Sequence, residues 1–218
     1  MQRARNQLAA LLAGVALLSV GAAQATVLFD RPPADPFSAG TFFSDVSTPR
    51  EATSSFQLGL AGAVQSIAWR GGYFDPTTPG STTSFAILFF ADELGVPAST
   101  PFYSVDVQAD VVELQGPVVQ YAYTATLPQT LSLPAGVPLW ISIAEDDPST
   151  AATFTWRKSS ETGTSFSRAG SGSPWQPFPG MAGFELFGTA TVPEPATSAL
   201  LGIGIVGLAS ARRSSRSR

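Results

Sequence analysis

The chain has no cysteine and no histidine among its 218 residues, and only 13% of it is charged. The first absence excludes disulfides, thiol nucleophiles and thiolate metal sites; the second excludes Ser-His-Asp triads and imidazole ligation. Carboxylates, hydroxyls and aromatic rings remain as the working chemistry. No window of about a dozen residues in the middle of the chain carries a 3.6-residue apolar stripe, so helices are not expected there. Gly-rich phosphate loops, nucleophile elbows and metal-binding motifs are missing, and no internal repeat suggests a solenoid or propeller.

The few charges are unevenly spread. Residues 1–25 carry +2 and residues 193–218 carry +3, which leaves −9 for the middle out of a formal net charge of −4. An acidic middle argues against a nucleic-acid partner, because phosphate binding needs a basic surface. The length suits one domain of ordinary size, with a core large enough to hold without covalent staples.

At the N-terminal end, Arg3 and Arg5 precede an apolar run from Leu8 to Val20, and Ala23-Gln24-Ala25 supplies small residues at both positions that signal peptidase reads. Residues 1–25 therefore read as a cleaved signal peptide with Thr26 as first mature residue, in preference to a buried helix or an uncleaved anchor. The expected route is export.

Between Thr26 and about Ala190, turn residues recur at short intervals, among them Gly71-Gly72, Gly116-Pro117, Pro134-Ala135-Gly136 and Gly170 to Pro174. The segments between them alternate. Tyr103, Val105 and Val107 oppose Ser104, Asp106 and Gln108. Val119, Tyr121 and Tyr123 oppose Gln120, Ala122 and Thr124, while Phe154 and Trp156 oppose Thr155 and Arg157. Phe85 to Phe90 is apolar on both faces and reads as a central strand covered on both sides. Around ten short strands make an all-β domain, an antiparallel β-sandwich that is jelly-roll-like or immunoglobulin-like, over residues 26–190. Phe85-x-Ile87-x-Phe89-Phe90-x-Asp92-x-x-Gly95-x-Pro97 and Leu133-Pro134-x-Gly136-x-Pro138-x-Trp140-x-Ser142-Ile143 resemble strand-and-turn patterns of exported bacterial β-sandwich domains, a resemblance that carries no activity.

Candidate chemistry in this body is sparse. Glu145, Asp146 and Asp147 follow a strand and are weak metal candidates, because the Asp-x-Asp-x-Asp spacing of a calcium loop is absent; no metal and no cofactor is expected. Tyr73, Phe74, Trp156 and Trp175 are candidate rings for stacking on sugars, against the plainer reading that large aromatics fill a core. Trp69 and Trp140 read as core. Glu113, Glu145, Glu161 and Glu185 could serve a glycosidase only as a facing pair, and sequence offers no pairing. The body is expected not to be an enzyme.

The last stretch is the most specific. Val192-Pro193-Glu194-Pro195 breaks any strand or helix, Ala196 to Ala211 is 16 uncharged residues, and Arg212-Arg213 opens a basic tail over 212–218. As a helix, 196–211 spans about 24 Å, short for a hydrocarbon core of roughly 30 Å. The positive-inside rule keeps the arginines in the cytoplasm and the body outside, as the signal peptide also demands. This sequence resembles the PEP-CTERM sorting signal of exported proteins in Gram-negative bacteria. The resemblance implies that Pro193, Glu194 and Pro195 (residues 191–195 as a segment) are the motif an exosortase recognises. Residues 196–211 are then a single temporary transmembrane helix, and Arg212 and Arg213 are its stop-transfer end. Signal peptidase and exosortase are the implied processing partners, with exopolysaccharide a further one. The expected itinerary is an inner-membrane-anchored precursor followed by a mature form at the cell surface, outer envelope or extracellular matrix. The alternatives are a carbohydrate-binding module and a polysaccharide-acting hydrolase.

Overall fold

In the computed structural model, which describes residues 25–34, 41–45, 50–73, 82–114, 119–146 and 153–191, the alternating segments become strands and no described residue is helical. In chain order these are β1 (Thr26–Arg31), β2 (Thr41–Phe43), β3 (Glu51–Phe56), β4 (Gly62–Tyr73), β5 (Thr82–Glu93), β6 (Val96–Pro97) and β7 (Tyr103–Leu114). They continue with β8 (Gln120–Leu133), β9 (Leu139–Glu145), β10 (Phe154–Arg157), β11 (Thr164–Arg168), β12 (Gln176–Pro179) and β13 (Phe184–Ala190). Thirteen strands stand among the described residues where about ten were expected, and β4, β5, β7 and β8 run to 12–14 residues instead of being short. No helix among the described residues is long and apolar enough to cross a membrane. Residues 1–24 of the expected signal peptide and the expected helix at 196–211 lie outside the described residues.

All strand pairs are antiparallel, in the order β1-β13-β4-β8-β7-β5-β9-β3-β11-β12. The sheet curls until its halves face each other. Phe29 of β1 meets Phe56 of β3 with ring centroids 5.5 Å apart, Phe56 meets Phe184 of β13 at 5.7 Å, and Trp69 of β4 meets Phe85 of β5 at 4.9 Å. None of these strands are neighbours in the sheet, so the rings meet across a shared interior. One end closes further. Where β13 leaves β4 at Phe184↔Trp69, β10 takes its place with Trp156↔Gly71. β2 then pairs with β10, and the bridge Asp45↔Glu145 ties the chain just after β2 back to β9.

The periodic pattern explains the core. Phe85, Ile87 and Phe89 point inward with Tyr121, Tyr123, Phe154, Trp156 and Phe184, all fully or almost fully buried. Each such side chain stabilises the fold by about 1.5–3 kcal/mol through lost contact with water. Phe90 faces the other way and packs with Trp140 and Phe166, flanked by Leu88, Val96 and Trp175. This second cluster is why the segment 85–90 is apolar on both faces.

Two local expectations are corrected. Gly71-Gly72, read as a turn, are strand residues of β4. A Cβ on Gly71 would stand 2.3 Å from the Phe154 ring, so the glycine there admits close passage of β10. Thr155 and Arg157, read as solvent-facing, are buried because β10 is flanked by β2 and β4, and Thr155 Oγ1 donates to Gly72 O at 3.0 Å.

Candidate functional site

A concavity near clustered functional side chains lies between β2 and the β11–β12 hairpin. β11 pairs with β3 through Ser167↔Ala52 and with β12 through Ser167↔Gln176, which sets Gln176 and Phe178 opposite β2. The resulting groove holds about 540 Å³ and is lined by Thr41, Phe42, Phe43, Arg50, Ser167, Arg168, Gln176 and Phe178 among others. Phe42 forms its floor, almost fully buried and edge-on to Phe178 at 5.1 Å. Phe43 and Phe178 rise from it, 40% and 37% exposed, so two rings meet solvent.

Cations accompany these rings. Lys158 Nζ sits 4.8 Å over Phe42 and 4.5 Å over Phe178, anchored by donating to Pro179 O at 2.9 Å. Partial burial lowers its pKa below the ordinary lysine value. The Arg50 guanidinium lies 5.8 Å over Phe43. Arg168 is held more tightly. Its Nε donates to Glu51 Oε2 at 2.7 Å, its Nη1 donates to Ser99 O at 2.8 Å, and the guanidinium stacks 4.2 Å over Trp175. Burial outweighs that ion pair at Glu51 and holds its carboxyl above the usual range. Residues 26–190 contain six Lys and Arg in all, and three of them gather on this groove while the body as a whole is acidic. Rings, a planar guanidinium, an ammonium, hydroxyls and an amide together suit a flat, hydroxylated and anionic ligand.

The expected stacking rings lie elsewhere. Trp156 is fully buried in the core with Nε1 donating to Gly183 O at 3.0 Å, so it has no face for a sugar and is withdrawn. Trp175 is half-buried, its Nε1 donates to Ala98 O at 3.1 Å, and Arg168 lies over its ring. Phe74 lies outside the described residues. Tyr73 points inward, and its hydroxyl donates to Glu145 Oε1 at 2.5 Å.

That contact also corrects Glu145. It is the last residue of β9 and 1% exposed, not a loop carboxylate, and is therefore unsuited to an open metal site. Beside it Asp45, also buried, accepts from Phe154 N at 3.1 Å. Burial raises the Tyr73 pKa well above the ordinary tyrosine range, helped by neighbouring Tyr123 and Glu145; burial does the same for Tyr123. The stability these phenols contribute is complete below pH about 10 and falls as pH rises above it, because the unfolded chain then ionises first. Alkaline unfolding followed by circular dichroism should show that fall, and Tyr73→Phe should make it shallower.

Asp146 is exposed and Asp147 lies outside the described residues. No three acidic, histidine or cysteine side chains gather into a metal cluster among the described residues. Asp92 Oδ1 accepts from Trp140 Nε1 at 2.8 Å and Oδ2 from Gly95 N at 3.0 Å, a turn lock. Of the four glutamates weighed for catalysis, Glu161 accepts from Arg31 Nε at 2.7 Å, Glu113 is exposed on β7, and Glu185 is half-buried on β13.

Ala25 is exposed immediately before β1, and β13 ends at Ala190, with Thr191 N donating to Ala61 O at 2.7 Å. Ala23, Val192, Pro193, Glu194, Pro195, Arg212 and Arg213 lie outside the described residues. In comparison with known proteins, the family model of the PEP-CTERM protein-sorting motif matches residues 191–214. No curated protein matches the chain. The motif implies an exported protein that an exosortase sorts through its C-terminal end.

Proposed function

We propose that the protein is an exported cell-surface or matrix protein whose body works without catalysis. Signal peptidase cuts after Ala25; residues 196–211 then hold the precursor in the inner membrane with Arg212 and Arg213 in the cytoplasm. An exosortase acts at Pro193-Glu194-Pro195 and passes the body, a jelly-roll-like or immunoglobulin-like sandwich, to the envelope surface or matrix. The match over residues 191–214 carries this reading. The mature product's ends test it, as developed in the Discussion.

The groove favours a second element, contact with acidic exopolysaccharide. Ring faces cover the apolar side of a pyranose, and Arg50 with Lys158 would meet uronate carboxylates. Titration calorimetry of the processed protein with alginate and with neutral dextran checks this. Alginate should bind with a micromolar dissociation constant per site that weakens with salt. Phe178→Ala with Arg50→Ala should lose at least about tenfold, equal to about 1.4 kcal/mol. Equal binding of both polymers would remove the cations' role. No heat with either would leave the groove without a glycan. Hydrolysis of either polymer would overturn the non-catalytic reading.

A further inference from the structure

Both ends of the body leave from one pole. β1 begins at Thr26, opposite Gly188, and β13 ends at Ala190, opposite Gly62 at the start of β4. The same pole gathers the β3–β4 connection, the β8–β9 connection and the β5–β6 turn. Gly62 pairs with Leu133 at the end of β8, and Phe56, Leu139 and Ala91 align the end of β3, the start of β9 and the end of β5. Leu58 bridges Ala135, and Gly136 N donates to Leu58 O at 2.9 Å, so two of these connections are fastened together.

Their tips are apolar. Val27, Leu60, Leu94 and Val137 are four of the nine large hydrophobic side chains exposed among the described residues, and Leu94 is fully exposed. Leu94 is also conformationally expensive. With φ of 59°, followed by Gly95 at 85°, it occupies a turn position that favours Asn, Asp or Gly. A leucine there gains nothing from water and strains its own backbone. The connections 57–61, 94–95 and 134–138 contain no charged residue, so an occupant would be met there by apolar contact, with the exposed carboxylate of Glu93 at the edge of the β5–β6 turn.

Covalent geometry names the occupant. Only residues 191–195 separate the end of β13 from the apolar run 196–211, a reach of at most about 18 Å. The apolar run at Leu8 to Val20 joins the body at this pole too, just before β1. Given the anchored precursor proposed above, on which this inference rests, the pole stays beside the bilayer until both cuts are made. We propose that it seats on the membrane surface in the precursor, with Leu60, Leu94 and Val137 dipping among the lipids. Release then exposes these tips.

The chain's lack of cysteine permits clean single-site labelling. Full-length precursors bearing Leu94→Cys, Leu60→Cys, Val112→Cys or Ser217→Cys, each carrying an NBD fluorophore, are reconstituted in phosphatidylcholine vesicles with nitroxide-labelled lipids. Val112 is exposed at the other end of β7, opposite Ala122. Labels at 94 and 60 should lose about half their fluorescence to the nitroxide and the label at 112 less than about a tenth. Adding phosphatidylglycerol should change neither. Leu94→Asn, which suits the turn, should reduce quenching at position 60 about twofold while the protein stays folded and anchored. Equal quenching at 94 and 112, with the label at 217 sealed inside the vesicle, overturns the docking and keeps the anchor. A label at 217 that stays outside, on protein stripped by carbonate, overturns the anchor and the docking together. Quenching at 94 that follows protein concentration without nitroxide lipid means a second copy covers the pole, and also overturns the proposal.

Discussion

Replacing Pro193, Glu194 and Pro195 together by alanine should leave the precursor full length in the inner membrane and cut the surface pool at least tenfold. Two prolines, a residue type that interrupts helices and strands, flank Glu194 in the matched motif. Alanine, the best helix former, removes that interruption and the recognition motif at once. Nothing in the body should change, because its last described contact is Thr191 N to Ala61 O. Fractionation and immunoblotting with an antibody to the body read the result. A mutant protein released at the normal level would mean that the motif does not direct sorting. A surface pool lost through degradation would show as lost precursor as well, so the precursor level is measured alongside.

Trp156→Ala should be the most damaging single substitution in the body. The side chain is fully buried beside Phe184, with centroids 5.9 Å apart, and its Nε1 donates to Gly183 O. Truncating a buried Trp costs about 3–5 kcal/mol, a large share of the 5–15 kcal/mol that ordinarily holds a domain together. Trp175→Ala offers the contrast. That ring is half-buried, and its loss frees one face of Arg168, so the cost should stay near 1–2 kcal/mol. Urea midpoints of the two variants decide between them. Equal losses would contradict the division between the fully buried ring and the half-buried one.

Much of the body was legible from periodicity alone. The alternation of Tyr103, Val105 and Val107 with Ser104, Asp106 and Gln108 marked the exposed face of β7, and the doubly apolar run 85–90 needed a second cluster that Trp140 and Phe166 supply. What escaped was pairing. Gly71-Gly72 look like a turn until β10, some eighty residues later in sequence, arrives to pair with them. The same distance hid the site. Phe43 and Phe178 come from short segments far apart in the chain, each too brief to show a period, and only β11 and β12 bring them to one groove. Tyr73 misled for a related reason. Beside glycines it looked like a loop aromatic, but those glycines belong to a strand, and its hydroxyl is spent on Glu145 inside the fold. The sorting motif needed no fold at all, because a linear signal is read before or apart from tertiary structure.

The fate of the two ends separates a sorted protein from a permanently anchored one. Intact-mass spectrometry of the protein recovered from the surface of cells containing an exosortase measures both at once. The predicted mass begins at Thr26 and stops at or near Pro193-Glu194-Pro195, with the apolar run and all four terminal arginines gone. A surface protein whose mass still includes Arg212 to Arg218 would contradict it.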